Sequence, residues 1–151
     1  MTTASNMLDL GAFGDQSIAV LGLGVSGMSA ASALQRAGVR VLPWDDNENR
    51  RNGAAARGLA PHDLGQTPFE DIDMLVLSPG IPQGHPTSHP VVARARAAGC
   101  EILCDVELLT RAAPDARYVG ITGTNGKSTT TALIGHILER LEIASAIGGN
   151  I

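Results

Sequence analysis

Lys127 and Ser128 stand at the end of a short glycine-bounded run, Gly123-Thr124-Asn125-Gly126-Lys127-Ser128-Thr129, which leads into Thr130 and Thr131. Glycines at 123 and 126 let a backbone turn tightly enough to aim several N–H groups inward, and such a cradle at a helix N-terminus suits phosphate oxygens. In that setting Lys127 meets the β- and γ-phosphates of a nucleoside triphosphate. A hydroxyl from Ser128, or from Thr129 beside it, ligates the magnesium ion that accompanies them. The spacing departs from the general P-loop formula, which places a glycine where this chain has Ile121 and misses Gly120 by one residue.

A second loop carries related chemistry. Gly22-Leu23-Gly24-Val25-Ser26-Gly27 is a full GxGxxG, and Asp45 follows it at about the spacing of a dinucleotide fingerprint. Backbone donors at a helix N-terminus hold any diphosphate, so the loop fits NAD or a UDP group equally well. Asp45 could accept from a ribose hydroxyl or from the imide N–H of uracil.

These loops need strands that end in them and helices that begin from them. Ser17 to Leu21 reads as a strand, Ser26 to Ala37 as a helix closed by Gly38, and Val39 to Trp44 as the next strand. A short helix is expected over Arg50 to Arg57, then a loop-rich stretch from Gly58 to Thr67 and a nearly continuous apolar strand from Ile72 to Leu77. Ser78-Pro79-Gly80-Ile81-Pro82 reads as a rigid turn, Pro90 to Ala98 as a helix, Glu101 to Cys104 as a strand, and Val106 to Arg111 as a helix capped by Asp105. Strands alternating with helices in this way imply an α/β fold, a Rossmann-like parallel sheet flanked by helices. Beyond a linker at Ala112 to Asp115, Arg117 to Thr122 reads as a strand, and Leu133, Ile134, Ile137, Leu138 and Leu141 mark one face of a helix. A last strand is expected at Ala144 to Ile147. The expected division is residues 1–113 as one domain and 114–151 as an incomplete P-loop strand-helix-strand unit. A P-loop fold needs further strands to bury its helix, so the chain is expected to be part of a longer protein.

Composition narrows the function. The 151 residues are 44% hydrophobic but only 3% aromatic, so the core must be built from Ala, Val, Leu and Ile, and base-stacking platforms are disfavoured. A formal net charge of −4, with no basic cluster beyond Arg50-Arg51, argues against nucleic-acid binding. Met1 to Gly14 has neither a basic leader nor a continuous apolar region, and no run approaches a membrane span, so a cytoplasmic protein without membrane association is expected. Cys100 and Cys104 are the only cysteines. His62, His85, His89 and His136 lack zinc spacing, so the cysteines read as buried thiols without a function.

Four motifs together resemble the Mur ligase family: Gly22 to Gly27, Ser78-Pro79-Gly80-Ile81, Asp105-Val106-Glu107-Leu108, and the loop at Gly123 to Thr131 followed by Gly148-Gly149-Asn150-Ile151. The similarity runs from Ser17 onward and is strongest to the branch that joins D-glutamate to UDP-N-acetylmuramoyl-L-alanine. It implies ATP-driven amide formation with Mg²⁺ through an acyl phosphate, in peptidoglycan precursor synthesis. Lys127 is then the catalytic residue and residues 123–129 hold ATP. The resemblance places Gly24, Val25 and Ser26 on the diphosphate, Asp45 and Asp46 on uracil, Ser78 and Gly80 along the nucleotide groove, and Asn150 on the sugar-diphosphate. Some members carry an arginine where this chain has Asn47, for which Arg50 or Arg51 could substitute. Asp105 and Glu107 have plain structural readings as helix-start residues, and Pro79 and Gly80 as a strand-ending turn. The 151 residues alone are expected to lack ligase activity. The alanine-adding ligase, a nicotinamide-dependent oxidoreductase and a non-catalytic nucleotide-binding module are the alternative readings.

Overall fold

The computed structural model describes residues 9–84 and 86–149, in two compact units: Leu10 to Ala112, and a second formed mainly by the chain from Ala113 onward. In the first unit the elements are β1 (Ser17–Leu21), α1 (Val25–Arg36), β2 (Arg40–Trp44), α2 (Glu48–Ala55), β3 (Met74–Leu77), α3 (Pro90–Ala97), β4 (Glu101–Cys104) and α4 (Asp105–Ala112). The four strands form one parallel sheet in the order β2-β1-β3-β4, with Ala19 paired to Leu42 on one side and to Leu75 on the other. Parallel strands buried on both faces need apolar side chains throughout, and β1 and β3 are buried at every position.

Two cores sandwich the sheet. Ile18, Val20, Met74, Val76 and Leu103 face Met28, Ala31 and Leu34 of α1 and Leu108 of α4. Ala19, Leu21, Leu75 and Leu77 face Val91, Val92 and Ala95 of α3. The alternation along each strand is the period-two signature that sends successive side chains to opposite faces. At the edge of the sheet, Pro43 of β2 lies opposite Val20, and its carbonyl accepts from the His62 N–H at 2.9 Å.

Local signals explain the helix limits. Gly38 adopts φ 83° and, with Val39, returns N–H groups to Gln35 and Leu34, which closes α1. Helix α2 starts two residues before its expected place because Asn47 Oδ1 accepts from the Asn49 and Arg50 N–H groups and caps it. Pro90 occupies the first turn of α3, where its missing N–H is harmless. Asp105 begins α4 as a helical residue, its carboxylate accepting from the Val106 N–H at 2.9 Å.

In the second unit the expected helix forms as α5 (Lys127–Arg140), but the strands expected on either side of it do not. Arg117 to Thr122 and Ala144 to Ile147 carry no regular structure. A strand exists only through ladder bonds to a neighbour, and neither segment has one among the described residues. Leu133 and Ile137 of α5, and Leu141 just past its end, are correspondingly exposed. Ile147 instead folds against α5 at Gly135, where a Cβ would collide with its side chain.

Candidate functional site

The first glycine loop joins β1 to α1 at the C-terminal edge of the sheet, where ligands of open α/β folds bind. Its backbone is pinned at three successive points. The Gly22 N–H donates to the Trp44 carbonyl at 2.8 Å, the Gly22 carbonyl accepts from Ser78 Oγ at 2.6 Å, and the Leu23 N–H donates to Asp45 Oδ2 at 2.7 Å. Gly22 holds φ 91°, and Gly27 lies so close to the Gly22 carbonyl and Ser78 Oγ that no Cβ fits there. With the first part of the loop committed inward, the donors left for a ligand are those of the first turn of α1. That helix begins at Gly24 without a side-chain cap. Val25 projects from this turn with 93% exposure, Ser26 is half-buried, and Gly80 sits in open space at φ 93°.

Asp45 is 5% exposed and more heavily engaged than the sequence suggests. Besides Leu23 it accepts from the Asn47 N–H at 2.8 Å and from Arg50 Nη1 at 3.2 Å. Burial pushes its carboxyl up, yet the hydrogen bonds from Leu23, Asn47 and Arg50 and the charge of Arg50 outweigh it and hold the group below its ordinary value. Ser78, buried beneath the loop, gives its hydroxyl to Gly22. Asp46 is exposed and lies 2.9 Å from His89 Nε2, while Nδ1 of the same ring accepts from the Val91 N–H at the start of α3. The Nδ1 acceptor role places the proton on Nε2, so His89 donates to Asp46.

The arginines offered as substitutes for the one missing at Asn47 have other partners. Arg51 lies over the Trp44 ring at 4.7 Å and donates to the Asp45 and Asp46 carbonyls, each at 2.8 Å, and Arg50 bonds Asp45. Sequence reading missed His89, Asn47 and the tie from Ser78 to Gly22. The signal for Asn47 was present, as an amide side chain directly before a helix, whereas the other two pairs span 43 and 56 residues.

In the second unit, Gly123 at φ 137° and Gly126 at φ 78° take backbone conformations that side chains disfavour, and α5 starts at Gly126 with no side-chain cap. Thr124, Asn125, Lys127, Ser128 and Thr129 are all exposed around this turn. Lys127 Nζ reaches back to the Gly123 carbonyl at 2.6 Å. Asn150 and His85 lie outside the described residues. Among the described residues no three His, Cys, Asp or Glu side chains gather as a metal-holding group, and no helix is long and apolar enough to cross a membrane. The cysteines differ from the expected buried pair: Cys104 is exposed and Cys100 half-buried. Burial, with Asp73 and Glu101 nearby, pushes the Cys100 thiol up to about 11.

Residues 16–104, the span of the glycine loop and its sheet, match the family described as the Mur ligase MurD-like N-terminal domain. The chain is 48% identical over 134 residues to the UDP-N-acetylmuramoylalanine--D-glutamate ligase of Paramagnetospirillum magneticum, covering 89% of this chain and 29% of that relative. It is 46% identical over 149 residues to the ligase of the same name from Brucella abortus, covering 96% and 32%. The chain therefore spans about a third of the length of these relatives. Among solved structures, shikimate dehydrogenase from Aquifex aeolicus shares the Rossmann-like fold, with a TM-score of 0.50 and 15% identity over 64% of this chain and 45% of that one. That likeness reaches the fold alone, whereas the family match and the high identity concern the sequence itself, and by them this chain belongs to the Mur ligase family, in its MurD-like branch.

Proposed function

We propose that the chain is the substrate-holding and ATP-loop portion of a cytoplasmic ligase that joins D-glutamate to UDP-N-acetylmuramoyl-L-alanine in peptidoglycan precursor synthesis. The observation that carries this reading is the 48% and 46% identity to relatives bearing that ligase's name. Residues 1–113 serve as the UDP-sugar domain and residues 114–151 as the beginning of the ATP domain. The uncapped first turn of α1, with Gly24, Val25 and Ser26, takes the diphosphate. Asp45, Asp46, Ser78 and Gly80 border the nucleotide, with Asp45 and Ser78 also shaping the loop. Asn150, outside the described residues, is assigned to the sugar-diphosphate by the family resemblance alone.

The second loop fits a triphosphate. Its positive-φ glycines and the open N-terminus of α5 leave N–H groups for phosphate oxygens, and Gly123, Thr124, Asn125, Gly126, Lys127, Ser128 and Thr129 line the turn. A carboxylate is a poor acylating agent, and bound ATP supplies the phosphoryl group that gives it a leaving group. Lys127, now bonded to the Gly123 carbonyl, would neutralise charge on the phosphate oxygens, and the Ser128 hydroxyl would help hold magnesium. The test is calorimetric titration of the chain with UDP-N-acetylmuramoyl-L-alanine and, separately, NADH. Saturable binding of the UDP-sugar without NADH binding is expected; NADH binding without the UDP-sugar would overturn the proposal.

A further inference from the structure

Beside the glycine loop, an open groove of about 590 Å³ runs between α1 and α2. Gly24, Val25, Ser29 and Ser32 form one wall and Arg50 and Arg57 the other. The chain is acidic overall, yet the lining contains two guanidiniums and no carboxylate. The two arginines differ. Arg50 is tied to Asp45, whereas the Arg57 guanidinium has no ion pair or hydrogen bond among the described residues. An unpaired cation facing two serines across a groove that opens onto a helix N-terminus is complementary to a tetrahedral oxyanion.

We propose that the α1–α2 groove is a phosphate subsite, with Arg57 as its principal cation and Arg50, held in place by Asp45, as the second. This rests on the nucleotide reading above and extends it: the phosphate arrives either on a nucleotide seated at the glycine loop or as a free inorganic anion, and both present the same oxygens. Arg57 then determines how strongly the site distinguishes a nucleoside diphosphate from its nucleoside. On this wall the sequence drew attention to Arg50 alone, since Arg57 follows the last helical turn and reads as an ordinary solvated charge.

The test is calorimetry on the full chain, as wild type, Arg57→Ala, Arg57→Glu and the control Arg36→Ala, with uridine, UDP and inorganic pyrophosphate as probes. Arg36 is exposed at the far end of α1 and removes the same charge away from the groove. Arg57→Ala is expected to weaken UDP about tenfold, as loss of one charge-assisted contact does, and Arg57→Glu more, with uridine changed less than about twofold and Arg36→Ala without effect. Pyrophosphate binding with the same dependence on Arg57 identifies the free anion as a sufficient occupant. If wild type binds pyrophosphate through Arg57 but not UDP, the nucleotide reading fails and the subsite stands. If both Arg57 variants bind UDP and pyrophosphate as wild type does, or if wild type binds neither probe, the subsite is refuted. Circular dichroism of each variant establishes that a loss of binding is not a loss of fold.

Discussion

Replacing Asp45 with alanine removes three acceptor contacts at once: those to the Leu23 N–H, the Asn47 N–H and Arg50. The Leu23 N–H is the decisive one, because it is buried and Asp45 is its acceptor. A buried donor left without a partner costs about 1–3 kcal/mol, and the exposed arm of Arg50 adds only about 0–1 kcal/mol. The expected loss is therefore about 3 kcal/mol, a large fraction of the roughly 5–15 kcal/mol that stabilises a domain of this kind. Asp45→Asn keeps one oxygen but turns an NH₂ toward one of the two backbone donors, and it should lose less than alanine does. Urea unfolding followed by the fluorescence of Trp44, the single tryptophan, and by circular dichroism measures both. The pH dependence has a definite sign. The folded carboxyl sits below its ordinary value near 3.8, so its stabilisation is complete above that value and vanishes as pH falls through the lower, folded one. The gap between wild type and Asp45→Asn should narrow over that acid window. A loss under about 0.5 kcal/mol for Asp45→Ala at neutral pH would refute the assignment of Asp45 as the clamp of the loop.

Gly27→Ala should destabilise the first unit by about 1–3 kcal/mol or more, because the new Cβ meets backbone that cannot yield. Gly24→Ala, with nothing near its Cβ position and an ordinary φ of −68°, should be close to neutral in the same urea titration; equal losses at the two sites would refute the packing account. Iodoacetamide at pH 8 should label Cys104 well before Cys100, since the Cys100 thiol ionises near 11 and the thiolate is the nucleophile, and peptide mass spectrometry reads the order directly.

The sheet was legible because its strands are apolar runs with clear ends. Ser17 to Leu21 and Glu101 to Cys104 appear with the limits read from sequence, and β3 is trimmed only at Ile72 and Asp73. Helix limits shifted where a cap competed, as at Asn47. The two strands read beside α5 failed for a reason periodicity cannot register, since a strand is a relation between segments and those two have no strand partner among the described residues. The loops that carry the chemistry were visible as glycine spacing. What their side chains do was less so: Asp45 and Ser78 were read as ligand groups, and the structure adds that both hold the loop itself. Contacts of that sort join residues far apart in the chain, beyond the reach of a local pattern.

Pro43 gives the sheet a direction of growth. In a parallel strand the N–H and C=O of one residue point to the same side, and the Pro43 carbonyl points away from β1 to His62, so the absent N–H is absent from the outer rim. Proline there takes nothing from the β1–β2 ladder while denying an incoming segment a donor, and His62 has already taken the matching acceptor. Two chains meeting edge to edge at β2 find that stretch closed, which guards a low-charge, aliphatic protein against stacking into aggregates. Among the described residues the opposite edge of the sheet is β4, which pairs with β3 alone.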